Sequence, residues 1–305
     1  MRAELPIGAF IAAFVVLIPS SWHWRARSIP TLSMIAWLFL DNLILGINSI
    51  IWSGNVKPVV PLWCDIVTRL EHGSTVALPA ACLCLCIRLE RISSARNATT
   101  TQASKSRWMW FDVALCWGLP VVYVGLYYIV QGHRFDIVED LGCRATFYVS
   151  VASLFLVMLP PLVLSVATLI FAAISLVHFF RRRIDFNRHL QKSGSALTTA
   201  RYFRLMLMSM VLMTWTLTVS SLDVWFSLRR GFRPWTSWAD VHSNWLQIGQ
   251  FPWVFISPSD KAWTIALWWT LPVSAYINAA FFVFGEDAMR EYAKWCSWVR
   301  VHIFR

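Results

Sequence analysis

Long apolar runs separated by short polar connections dominate the chain, and their lengths suit helices that cross a bilayer. Seven segments reach a spanning length of roughly 17–25 residues: residues 5–22, 32–53, 63–90, 108–130, 147–180, 205–228 and 262–285. No small-x-small cleavage site follows the first, so it reads as a span rather than a signal peptide. Ser20 to Arg25 then reads as an interface anchor. The fifth has no Asp, Glu, Lys or Arg and is longer than a core of roughly 30 Å requires. It should tilt or protrude, with a kink at Pro160-Pro161. No internal repeat of the transporter type is apparent.

The third segment has two distinct halves, and the others read as walls around it. Within Trp63 to Ser93, the residues Asp65, Arg69 and His72 fall at i, i+4 and i+7, on one helix face. Val76 to Ile87 carries no charge, and Arg88 and Arg91 form a basic foot. The pattern predicts a polar upper end, an apolar lower half and a foot at a membrane surface. A charge at the centre of a spanning helix costs roughly 2.5–3.5 kcal/mol and needs a partner or a purpose. Asp65 and Arg69 can pair along their own helix; alternatively Arg69, Glu71 and His72 line an outward pocket for the polar part of a ligand. The two readings are compatible. Asp41 and Asn42 face neighbouring helices or water, and Asn48 and Asn278 read as packing hydrogen bonds.

Composition supports the membrane assignment. The chain is 57% hydrophobic and 14% charged, against about 45–50% and about 25% in soluble domains. Its 19 Trp suit membrane–water interfaces. A net charge of +11 does not signal nucleic acid here, because most of the 27 Lys and Arg fall on connections that are inside if the amino terminus is outside. The third such connection, with Arg181, Arg182, Arg183, Arg201 and Arg204, reads as a lipid-surface loop or a docking surface for a cytoplasmic protein. Residues 286–305 have Ala288, Tyr292, Trp295, Cys296, Val299 and Ile303 at helical spacing, predicting a short amphipathic helix on the inner surface. Cys296 there is either a palmitoylation candidate or a buried thiol. Residues 229–261, with four Trp, read as an interfacial loop or as a lid over a ligand entrance.

The chemistry points to binding rather than catalysis. There is no zinc-binding His/Glu pattern, no G-x-S-x-G and no phosphate-cradling glycine loop. Asp41, Asp112 and Asp223 lie on three different segments without a nucleophile, so no enzyme, metal or cofactor is expected. Cys82, Cys84, Cys86 and Cys116 sit in apolar runs and act as small hydrophobes. Cys64 and Cys143 lie at outer polar edges, where an oxidising environment favours a bridge pinning the second outer loop over the bundle. That loop also holds Asp136, Glu139 and Asp140, an acidic patch for solvation, for Arg69 or for a basic ligand. The candidate ligand-contacting residues are Asp65, Arg69, Glu71, His72, Glu139, Asp140, Asp223 and Trp268.

Several words of the chain carry a family resemblance: WHWRARSIP, INSIIW, LWCDI, LCIRLERI, RYFRLM, FFVFGEDAMREY and, most specific, YIVQGHRFDIVEDLGC. From about Leu5 to Tyr292 the chain resembles the fungal lipopeptide mating-pheromone receptors, the a-factor branch of the class D G-protein-coupled receptors, in a basidiomycete style. The resemblance implies an all-α, seven-transmembrane bundle in the plasma membrane with the amino terminus outside. It implies a receptor for a peptide with a carboxyl-terminal farnesyl group, activating the α subunit of a heterotrimeric G protein. Membrane lipids are further partners, and a homodimer is an option. Arg88 and Arg91 match the inner foot of the third helix, where such receptors engage the G protein. Ligand binding among helices three, five, six and seven would open the inner ends of five and six, with Pro160-Pro161 and Pro272 as pivots or static kinks. Family members commonly carry a longer tail beyond the last span, a departure that removes support for tail phosphorylation. The alternatives are a receptor-like paralogue without a pheromone, or a small-solute transporter with a charged path through Asp41, Arg69 and Asp223.

Overall fold

The structure, a computed structural model, describes residues 2–94, 102–181, 199–229 and 231–283, with the isolated positions 289, 297 and 300. Its main helices are α1 (Glu4–Leu17), α2 (Ile29–Ile51), α3 (Pro61–Ser93), α4 (Ser106–Val130), α5 (Val151–Arg181), α6 (Thr199–Leu228) and α7 (Pro258–Val283). All but α1 are long and apolar enough to span a bilayer. α1 is shorter than the expected 5–22, at 14 residues, because Pro19 has no N–H to continue the ladder. A separate short helix, Ser20–Arg25, follows. The helix expected over 286–305, with Cys296, lies outside the described residues but for positions 289, 297 and 300, and Arg182 and Arg183 lie outside them too.

α3 is the centre of the bundle, packed against α2, α4, α5 and α6, while α1 closes the ring between α2 and α7. The apolar lower half of α3 explains this position. Ala81, Cys82, Cys84, Leu85 and Leu89 are buried against Met34 and Leu38 of α2, Tyr202, Met206 and Met213 of α6, and Phe282 of α7. Cys82, Cys84, Cys86 and Cys116 are buried free thiols.

Two prolines are accommodated in the same way. Pro120 cannot supply an N–H to the Cys116 carbonyl four residues earlier; the Trp37 indole of α2 donates to that carbonyl at 3.2 Å instead. Pro161 deprives the Val157 carbonyl, and the Tyr123 hydroxyl of α4 donates there at 2.8 Å. A π-helical turn precedes each, at Ala114–Gly118 and Leu154–Met158. The missing donors are thus replaced across helix interfaces, as they must be in a medium without water.

The all-α expectation needs one correction. The connections at one end of the bundle form a three-stranded sheet, ordered β2-β1-β3, from β1 (Phe135–Val138), β2 (Gly142–Arg144) and β3 (Ile248–Phe251). β1 and β2 are an antiparallel hairpin with Ile137 opposite Cys143, and β3 adds in parallel with Phe135 opposite Ile248. A four-residue strand cannot stand alone; burial supplies the rest. Phe135 and Ile137 are fully buried on Ile44, Trp52 and Val67, worth about 1.5–3 kcal/mol each. The hairpin turn needs left-handed backbone at Asp140 (φ 62°) and Gly142 (φ 86°). A Cβ on Gly142 would stand 2.6 Å from the Asn48 Cβ, so only glycine lets the hairpin lie this close to α2.

Candidate functional site

The sheet roofs one end of the bundle. A disulfide joins Cys64, at the first turn of α3, to Cys143 in β2, with Cα atoms 5.4 Å apart. The carboxylates of the hairpin turn fasten the rest of the roof. Asp140 accepts from the Gly54 N–H at 2.8 Å and from the Trp253 indole at 3.2 Å, and Glu139 accepts from the Trp253 N–H at 2.8 Å. Both acids, expected to solvate the loop or meet a ligand, are engaged within the roof. The connection after α6 reaches across to α4, where the Trp235 indole donates to the Ile129 carbonyl at 3.3 Å. His242 stacks on Trp238 with ring centroids 4.0 Å apart.

Under the roof, Arg144 of β2 feels the charges of Glu71 of α3 and Asp223 of α6 without reaching ion-pair distance of either. Burial works against the Arg144 charge and pulls its pKa below the ordinary guanidinium value, while the two carboxylates oppose that fall. Sequence reasoning named Glu71 and Asp223 but missed Arg144; its place next to a bridged cysteine was the available signal. Glu71 Oε1 is buried without a hydrogen-bond partner, as is Nε2 of His72. The His72 ring stacks on Tyr123, centroids 4.5 Å apart, and lies 4.2 Å from the Tyr127 ring. Deeper, Asp41 is fully buried with both carboxylate oxygens unpartnered. Trp268 of α7 is buried among Leu5, Ala9 and Leu45, and its indole N–H also lacks a partner. The cluster is rich in unspent polar groups in an apolar frame, which suits recognition of a polar ligand.

Asp65 and Arg69 lie higher, to one side. Arg134, just before β1, forks onto Asp65 with Nε and Nη2 at 3.0 and 2.5 Å from the two carboxylate oxygens. Those hydrogen bonds raise the Arg134 pKa above its ordinary value. Arg69 Nη1 donates to the Asp65 backbone carbonyl and stays 3.8 Å from the Asp65 carboxylate, its side chain 41% exposed. The intrahelical pair is therefore secondary to a pair with the roof.

Two cavities flank the roof loop. One, of about 820 Å³, opens between α2, α3 and α4, with Trp37, Ile66, Gly73, Val121 and Val124 in its walls and Asp65, Arg69 and Arg134 at one end. The other, of about 770 Å³, is a more polar vestibule between the roof, the start of α5, the end of α6 and the start of α7; His133, Asp136, Tyr148, Arg233 and Asp240 line it.

At the opposite end, the basic foot of α3 is engaged. Arg88 forms an ion pair with Asp112 of α4. Arg91 lies over the Trp108 ring, 3.8 Å from its centroid. Glu90 is buried, with His178 of α5 at 3.9 Å, and Tyr202 and Ser175 hydroxyls meet at 3.0 Å. Arg181 is exposed at the end of α5, and Arg201 and half-buried Arg204 fall in the first turns of α6.

Comparison with known proteins supplies the frame for these features. The chain is 47% identical over 295 residues to the pheromone B beta 1 receptor of Schizophyllum commune, covering 96% of this chain and 54% of that protein. It is 31% identical over 296 residues to the pheromone B alpha 3 receptor of the same species, covering 96% of this chain and 47% of that one. Pheromone receptor 1 of Ustilago hordei is 31% identical over 290 residues, covering 94% of this chain and 81% of its own length. The chain thus spans about half the length of the Schizophyllum relatives. Residues 4–302 match the family described as pheromone A receptor, so this multi-pass membrane chain belongs to the STE3 pheromone A receptor family.

Proposed function

We propose that the chain is a G-protein-coupled receptor for a farnesylated peptide mating pheromone, with seven spans, the amino terminus outside and residues 286–305 on the inner surface. The observation that carries this reading is the set of unpartnered buried polar atoms of Glu71 and His72 beneath a roof fastened by the Cys64–Cys143 bridge, with Arg144 and Asp223 supplying charge nearby. A bridge belongs to the oxidising side of a membrane, and the basic residues of the opposite end suit the cytoplasmic side. α1 counts as the first span because it packs between α2 and α7 in the ring.

The cluster draws on α3, α6 and the roof, so a peptide bound there contacts the two helices whose far ends meet at Tyr202 and Ser93. A ligand shifts a two-state bundle only through unequal affinity for the two states. A peptide group that hydrogen-bonds Glu71 or Asp223 in one state alone provides that inequality. At the inner end, the Arg88–Asp112 and Arg91–Trp108 contacts hold the foot of α3 against α4, leaving Arg181, Arg182, Arg183, Arg201 and Arg204 of the third inner connection as the basic surface for a G-protein α subunit.

The test is nucleotide exchange on a fungal Gα in membranes holding this chain. Farnesylated peptides from compatible mates are compared with the same peptides without the lipid. Exchange that depends on the farnesyl group is the expected result. Folded, surface-exposed protein that answers no peptide would overturn the assignment.

A further inference from the structure

The wall of the cavity between α2, α3 and α4 faces the wrong way for an aqueous site. Ile66 of α3 is 52% exposed and Val121 of α4 is 73% exposed, on the outer surface of a bundle that stands in a bilayer. The cavity is therefore a groove open sideways to lipid. Its back is Gly73, where an added Cβ would come to 3.3 Å from Val124; the missing side chain is what leaves room between the helices. Its volume of about 820 Å³ lies in the ~300–1,000 Å³ range of small-molecule sites.

We propose that this lateral groove between α2, α3 and α4 takes the prenyl chain of the lipopeptide while the vestibule admits its peptide toward Glu71 and Asp223, an inference that rests on the receptor reading above. Three observations select this occupant over ordinary membrane lipid. First, groove and vestibule are the two sides of one ridge: Arg134 and Leu246 line the groove, and their chain neighbours His133 and Gln247 line the vestibule. A ligand with an apolar chain joined to a peptide can straddle that ridge. Second, both Asp65 oxygens are held by Arg134, so half-exposed Arg69 adds a positive charge at the groove's polar end. That charge complements a carbonyl-rich carboxyl-terminal end, the part of the peptide that carries the lipid. Third, the lower half of α3, where a slot inside the bundle would lie, is packed with side chains from α2, α6 and α7. A chain already dissolved in the bilayer enters the groove without crossing water.

The proposal is tested with a farnesylated peptide active in the exchange assay, remade with a diazirine on its prenyl chain and photolysed in membranes holding the intact chain. Adducts at Ile66, Val121, Val124 or Leu246, suppressed by excess unmodified lipopeptide, are expected. Adducts confined to vestibule residues, or spread without competition over other lipid-facing positions such as Val163 and Ile170, would overturn the groove while leaving the receptor reading intact. Absence of both labelling and exchange would overturn both. As a functional arm, Val121→Trp fills the groove from an exposed position with little cost to folding. Loss of the burial of about two chain carbons lowers the potency of the lipidated peptide about tenfold, with the lipid-free peptide unchanged. Equal changes for the two peptides, or none, would count against the groove.

Discussion

The proline at position 120 allows a sharp test of how α4 is held. In the folded chain the Trp37 indole, 5% exposed, donates to the Cys116 carbonyl at 3.2 Å and stacks on Trp117 with centroids 5.1 Å apart. Trp37→Phe keeps an aromatic ring for the stack and removes the donor. The carbonyl is then buried with no N–H from residue 120 and none from residue 37. An unsatisfied buried acceptor costs about 1–3 kcal/mol, whereas interhelical polar contacts in membranes average ~0.6 and reach ~1.7 kcal/mol. The expected loss is therefore about 1–2 kcal/mol. At ~2–4 °C per kcal/mol for a chain of this class, that lowers the melting temperature by a few degrees. The diagnostic step is the cycle with Pro120→Ala. That substitution brings back a backbone N–H for the Cys116 carbonyl, so Trp37→Phe should cost about 1 kcal/mol less in that background. Thermal unfolding of the four proteins in nanodiscs measures it. Costs that add to within about 0.3 kcal/mol would show that the indole is not replacing the missing proline donor.

Three further outcomes follow from the roof and its floor. Arg144→Gln leaves Glu71 and Asp223 without their cation and should abolish the peptide response at normal surface levels; adding Glu71→Gln should restore part of it, and a double variant no better than Arg144→Gln would refute the charge pairing. Opening the Cys64–Cys143 bridge, which spans 79 residues, releases at most about 4.5 kcal/mol of loop constraint. Because the spans remain anchored, Cys64→Ala with Cys143→Ala should leave helix content unchanged by circular dichroism while weakening ligand response. Gly142→Ala should prevent the roof from closing, because its Cβ would meet Asn48 at 2.6 Å. Gly54→Ala, also at positive φ but with nothing within 4 Å, should cost only about 1 kcal/mol of backbone strain; the contrast is read as free-thiol labelling of Cys64 and Cys143.

Much of the bundle was legible because a bilayer imposes strong local rules. Helix length, the placement of basic residues and the uncharged lower half of α3 are properties of contiguous sequence, and α2 to α7 lie within a few residues of where periodicity put them. Cys64 and Cys143 were also readable, as the two thiols at outer polar edges. The roof was not. Phe135 to Val138 is too short to signal a strand, and its parallel partner Ile248–Phe251 comes from the connection beyond α5 and α6. Nothing local in either segment announces the other.

Individual side chains divide along the same line. That Asp65, Arg69, Glu71 and His72 occupy the upper part of one helix follows from spacing alone, since a helix places residues by a fixed rotation and rise. Which of them pairs with what does not follow. Asp65 is claimed by Arg134, Glu71 lies in the field of Arg144, and the acids Glu139 and Asp140 bind Trp253 and Gly54 rather than facing outward. These partners come from segments far apart in the chain, and only the packing of the helices brings them within reach. A multi-pass helical protein, its charge asymmetry and its central helix are therefore written in the residues as they follow one another. The sheet over one end, the Arg144 cluster beneath it and the groove beside it exist only once the helices have packed. Spans answer to the solvent around each segment, and sites to contacts between segments.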